Sequence, residues 1–75
     1  MFDRVKAIIG GYIQRDDLEI TLDTDVLGDL GINSLELVEL VCAFEMEFDM
    51  DIPEKDIRGF LTVNDIVCYL EAAVA

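Results

Sequence analysis

Apolar residues recur at helical spacing in three stretches of this chain, and no comparable series of alternating strands accompanies them. Phe2, Val5, Ile8, Ile9, Tyr12 and Ile13 share one helical face, which predicts a first helix over about residues 2 to 14. Gly10 and Gly11 weaken that helix intrinsically, so packing has to hold it. A second helix is predicted from near Ser34 to about Asp49. Asn33 suits its N-cap and Glu36 follows three residues later, the spacing of a capping box; Ser34 is the other candidate for the cap. Pro53 and Gly59 bracket a short third helix. Thr62 followed by Asp65 opens a fourth, which runs to about Ala73 with Val63, Ile66, Val67 and Leu70 on one face.

Between the first two helices, residues 15 to 33 show no period. A connection this long is commonly functional in a compact domain. Leu18, Ile20, Leu22, Val26, Leu27, Leu30 and Ile32 predict that it lies against the bundle. The fold class expected is therefore all-α: a small bundle of three main helices plus a short third helix, with a long loop between helices one and two. Residues 1–75 are read as one domain. The loop and helix three are the elements with the fewest periodic apolar anchors, and they are expected to move most.

Helix two carries two apolar stripes. At about 100° per residue, Leu37, Leu40, Val41, Phe44 and Phe48 form a core face. Leu35, Val38, Cys42 and Met46 form another, displaced by roughly 140°. A helix in a minimal bundle needs one buried face. The second stripe therefore either packs beneath the loop or helix three, or serves as a docking surface. Glu39, Glu45 and Asp49 flank it, and residues 34 to 53 contain six acids and no Lys or Arg, which favours a docking partner with apolar pockets and basic side chains.

Charge narrows the partners further. The chain has 17 Asp and Glu against 5 Lys and Arg, a formal net charge of -12. Such a surface repels nucleic acid and anionic membranes and speeds encounter with basic proteins. No stretch approaches a membrane span, and no secretory leader is evident. Cys42 and Cys68 have no metal-type or redox-type spacing and there is no His, so both are expected to be free thiols in the cytoplasm. Catalysis is not expected, since Ser34 has no base recognisable in the sequence. Asp23, Asp25 and Gly28 match positions 1, 3 and 6 of an EF-hand loop, but Leu27 and Ser34 fall at positions 5 and 12, so no dedicated metal site is expected.

The run Leu30-Gly31-Ile32-Asn33-Ser34-Leu35-Glu36-Leu37-Val38-Glu39-Leu40 resembles the attachment motif of the acyl carrier protein family, commonly Leu-Gly-x-Asp-Ser-Leu before an acidic, apolar helix. The likeness continues through Glu45 to Phe48, Asp51-Ile52-Pro53 and Thr62-Val63, and so covers essentially the whole chain. It implies that Ser34 receives 4'-phosphopantetheine from coenzyme A through a phosphopantetheinyl transferase. The arm's thiol then carries acyl groups as thioesters to acyl-transferring and acyl-modifying enzymes with basic docking patches. It implies a monomeric carrier in fatty acid, polyketide or related biosynthesis, with acyl chains sheltered between the helices. Asn33, Leu35, Glu36, Val38, Glu39, Cys42, Glu45 and Met46 then form the partner surface. One departure stands at a sensitive place: the family usually has Asp where this chain has Asn33, which keeps the capping ability and loses the charge. Two other readings fit the residues: an acidic helical interaction module without cofactor, and an aminoacyl or peptidyl carrier on the same scaffold.

Overall fold

The computed structural model describes residues 1–14 and 18–74. Four helices follow in chain order: α1 (Phe2–Ile13), α2 (Ser34–Phe48), α3 (Glu54–Ile57) and α4 (Val63–Val74). The all-α class expected from periodicity is the class observed, with no strand among the described residues.

Each long helix buries one stripe in a common core. Val5 and Ile9 come from α1, Leu37, Leu40, Val41 and Phe44 from α2, and Val63, Ile66, Val67 and Leu70 from α4. These lie on the faces the spacing predicts, but Phe48 on α2 and Phe2, Ile8, Tyr12 and Ile13 on α1 are only half-buried, packed against the core from its edge. Burying an aliphatic or aromatic side chain of this size contributes about 1.5–3 kcal/mol, so this shared stripe outweighs any single surface contact in the fold. Polar ties add direction. Arg4 contacts Glu47 at 2.8 Å and Tyr12 donates to Glu39 at 2.8 Å. Residues early in α1 thus meet residues late in α2, and the two helices run antiparallel.

The loop is anchored more firmly than its lack of period suggests. Ile20, Val26, Leu30 and Ile32 are buried, while Leu22 and Leu27 are partly exposed. Backbone bonds supply the rest. Val26 N–H donates to the Leu61 carbonyl, Val63 N–H to Thr24 and Asn64 N–H to Leu22. The loop carbonyls thereby satisfy N–H groups that the start of α4 would leave unpaired. Asp25 and Thr62 form an isolated antiparallel bridge at this point. Residues 15–17 of the predicted loop lie outside the described residues.

Helix boundaries follow local chemistry. Gln14 and Asp49 adopt left-handed conformations and end α1 and α2, one residue inside the extents predicted for them. At α4, Thr62 Oγ1 accepts from Asp65 N–H, and Asp65 accepts from the N–H groups of Thr62 and Leu61 at 3.0 Å. Those backbone donors hold the Asp65 carboxyl below its ordinary range. The third helix is shorter than predicted, four residues rather than about seven, because Pro53 caps it from an extended conformation and the chain turns again at Arg58 and Gly59. It is held by Ile57 and Phe60 in the core, by an edge-on Phe60–Tyr69 ring contact at 5.3 Å, and by the Tyr69 hydroxyl donating to Asp56 at 2.7 Å.

Candidate functional site

The start of α2 gathers the predicted site. Gly31 turns the chain at φ 70°, a conformation glycine adopts without a Cβ clash, and hands it to Asn33 in an extended conformation. Asn33 then caps the helix. Its side-chain oxygen accepts from Glu36 N–H at 2.8 Å, and the Glu36 carboxylate accepts from Asn33 N–H at 3.0 Å. This is the full capping box, and it decides between the two cap candidates: Asn33 takes the role, which frees Ser34. The Ser34 side chain is exposed and makes no hydrogen bond among the described residues.

Two features surround that hydroxyl. The N–H groups of Ser34 and Leu35 precede the one that Asn33 takes. They form the positive end of a fifteen-residue helix, where an anion is stabilised. Beside it opens a groove of ≈ 350 Å³ between α2, α3 and the loop. Ser34 stands on its wall, among Leu27, Val38, Ile57, Phe60 and Leu61. An exposed primary hydroxyl, an anion-favouring helix end and an apolar groove fit a phosphodiester-linked arm with a hydrophobic cargo.

The second stripe of α2 is not covered by the loop or by α3. Leu35 is 71% exposed and Met46 85% exposed, with Val38 and Cys42 exposed between them. The acids around the stripe are less free than their spacing suggests. Glu36 serves the capping box, Glu39 accepts from Tyr12, and Glu45 accepts from Ile52 N–H at 2.8 Å. Each carboxylate keeps a second oxygen, so these bonds orient the acids without withdrawing their charge. The partner of Glu39 responds: the Tyr12 hydroxyl is pushed up to about 12, chiefly by that hydrogen bond, then by desolvation and the charges of Glu39 and Glu36.

Among the described residues, no group of three or more His, Cys, Asp or Glu is arranged to hold a metal ion. Asp25 is occupied otherwise, accepting from Leu27 and Gly28 N–H at 3.2 Å in a turn. No helix among them is long and apolar enough to cross a membrane.

Residues 3–70 match the family described as the phosphopantetheine attachment site. An acyl carrier protein of Clostridium perfringens is 44% identical over 70 residues, covering 93% of this chain and 92% of its own. The chain belongs to the acyl carrier protein family. A second acyl carrier protein, from Clostridium acetobutylicum, is 38% identical over 72 residues, covering 96% of this chain and 94% of its own. A solved structure described as an acyl carrier protein of Mycobacterium tuberculosis superposes with a TM-score of 0.82 at 33% identity, covering 97% of this chain and 95% of that one. Function and cofactor follow: this is an acyl carrier, and its prosthetic group is phosphopantetheine. A carrier of this family works by presenting its cargo to other enzymes.

Sequence reasoning missed the far wall of the groove. Leu27, Ile57, Arg58, Phe60 and Leu61 come from a loop and a short helix whose apolar residues show no period, and only the tertiary fold brings them to Ser34.

Proposed function

We propose that Ser34 is the attachment point of the 4'-phosphopantetheine arm and that the exposed stripe of α2 is the surface read by partner enzymes. The observation that carries the first part is the division of labour at the start of α2. Asn33 caps the helix, so the neighbouring hydroxyl stands exposed, with no hydrogen bond among the described residues, at an anion-favouring helix end. In the transfer, the Ser34 oxygen forms a bond to the phosphorus nearest the pantetheine in coenzyme A. The pyrophosphate bond breaks, adenosine 3',5'-bisphosphate leaves, and the hydroxyl proton passes to a base of the transferase. When attached, the arm supplies a thiol that holds the acyl group as a thioester.

The chain's own residues do the rest. Leu35, Val38, Cys42 and Met46 offer apolar and polarisable contacts to a partner, while Glu36, Glu39 and Glu45, oriented by their internal bonds, meet its basic side chains. Asn33 tunes the transferase's approach by removing one charge beside the serine. The apolar walls of the groove shelter the cargo. The carrier itself catalyses nothing; residues 1–75 act as one domain, a monomer, with both free thiols suited to the reducing cytoplasm.

The test is the intact mass of the protein before and after incubation with coenzyme A and a phosphopantetheinyl transferase. A gain of one phosphopantetheine is expected, absent in Ser34→Ala. A gain that persists in Ser34→Ala moves the attachment point elsewhere. Docking tests the surface separately: Met46→Glu or Val38→Ser should weaken complexes with acyl-transferring enzymes and leave the helical fold intact.

A further inference from the structure

Among the described residues, the groove beside Ser34 is lined by one basic side chain, Arg58. We propose that Arg58 pairs with the phosphodiester of the arm on Ser34 and draws the arm into the groove. The inference rests on the assignment of Ser34 as the attachment point.

The argument begins with charge. A phosphodiester is an anion fixed to a chain whose net charge is already -12. It needs local compensation or it is pushed outward into solvent. Cations are scarce, five in the chain, and Arg4 is committed to Glu47 at 2.8 Å with its guanidinium 4.4 Å from the centre of the Phe48 ring. Arg58 is not committed in this way. Its acidic neighbour Glu54 stands at 3.7 Å, and both side chains are about as exposed as surface groups become, at 80% and 76%. A pair of that length and exposure is worth little.

Geometry favours the phosphate as the better partner. Ser34 and Arg58 line one groove of ≈ 350 Å³, together with Glu54, the acid that Arg58 would leave. A guanidinium presents several donors in a plane and matches phosphate oxygens two at a time. Apart from Ser34, Arg58 and Glu54 the groove lining is apolar, Leu37, Val38 and Ile57 included, so a pair formed over it loses water on that side alone. The start of α2 adds its N–H groups. Asn33, neutral where an acid would sit, places no anion directly before the phosphate. Arg58 exchanges Glu54 for the phosphate when the arm is loaded. The arm then leaves Ser34 toward α3 and its cargo end is turned to the apolar walls.

Apo and loaded forms of the wild type, Arg58→Gln and Arg58→Lys test this, with loading verified by intact mass and located with Ser34→Ala. Arg58 is exposed at a helix end, so these variants retain the fold. In the wild type, loading should shift the Arg58 Nε–Hε resonance. The phosphorus-31 resonance of the arm should differ between wild type and Arg58→Gln, with Arg58→Lys between them. Added salt should move the wild-type signal toward that of Arg58→Gln. Arg58→Gln should also lower the melting temperature of the loaded form by a few degrees more than that of the apo form. An unmoved Arg58 resonance, with one phosphorus position for all three loaded proteins, overturns the proposal while leaving Ser34 as the attachment point. Loading that survives Ser34→Ala overturns both.

Discussion

Asn33 carries two consequences at the scale of one residue. Its side chain closes one half of the capping box and its backbone the other. Asn33→Ala should cost about 1 kcal/mol, the ordinary value of a lost N-cap, measured by urea unfolding. Asn33→Asp keeps the cap and adds a charge at the positive end of α2, so it should stabilise by about 0.3–1 kcal/mol. The same variant should be modified faster than wild type by a transferase of broad specificity that uses a basic residue against this position. Equal rates would separate capping from recognition. Tyr12 gives a second signature. Its hydrogen bond to Glu39 raises its ionisation from 10.0 to about 12. A raised pKa in the folded state adds stability that is present in full below pH 10 and is lost as pH climbs toward 12. Ultraviolet titration should therefore find Tyr12 un-ionised at pH values where a free phenol has already ionised. Glu39→Gln should lower that midpoint. Tyr69, raised by Asp56, is the internal control that Glu39→Gln leaves in place.

At the scale of the element, α1 is the weakest of the long helices by its own composition. Gly10 and Gly11 sit in its last turns, and a Cβ built on either meets nothing within 4 Å. Gly11 is exposed, and its glycine serves no close approach. Gly11→Ala should therefore stabilise the protein by about 1 kcal/mol through helix propensity alone, seen as a higher urea midpoint with unchanged slope. The end of α2 poses the opposite problem. Its last turn has no basic residue, and Glu45, Glu47 and Asp49 crowd the negative end of the helix dipole. Asp49 also holds a left-handed backbone, φ 52°. Asp49→Gly should relieve both and stabilise by about 1 kcal/mol, a gain that shrinks in high salt only by its electrostatic part. Arg4, bonded to Glu47 and stacked on Phe48, supplies from α1 the cation that α2 lacks.

For the whole molecule, charge sets the terms. A net charge of -12 on a body 31 × 23 × 20 Å in extent repels itself. Only two ion pairs oppose that repulsion among the described residues, both exposed, so screening removes more repulsion than attraction. The melting temperature should rise with sodium chloride through the range where the screening length falls below the spacing of the acids, about 10 Å at 0.1 M. A melting temperature that fell with salt would mean that local pairs dominate. A field of this sign speeds encounter with any protein that presents a basic patch, at the expense of stability at low salt.

Periodicity in the sequence determined the class of the fold and the three long helices, because each long helix needs at least one apolar stripe to bury in a shared core. The capping residues were legible too: Asn33 with Glu36, and Thr62 with Asp65, are local bonds between residues three apart, and local spacing suffices to find them. The proposal of Ser34 as the attachment point starts from a resemblance to a family motif, since a serine at a helix start is otherwise ordinary capping. Tertiary structure decided the remainder. The spacing and the acids favour docking for the second stripe of α2 without excluding burial; the fold leaves it open because the loop turns to α4, where its carbonyls meet the unpaired N–H groups of Val63 and Asn64. That choice leaves Leu35 and Met46 uncovered. The groove beside Ser34 arose in the same way, from Leu27, Arg58 and Leu61, which share no period with α2. Contacts between residues distant in the chain depend on how the whole backbone satisfies its hydrogen bonds, and no local pattern encodes that.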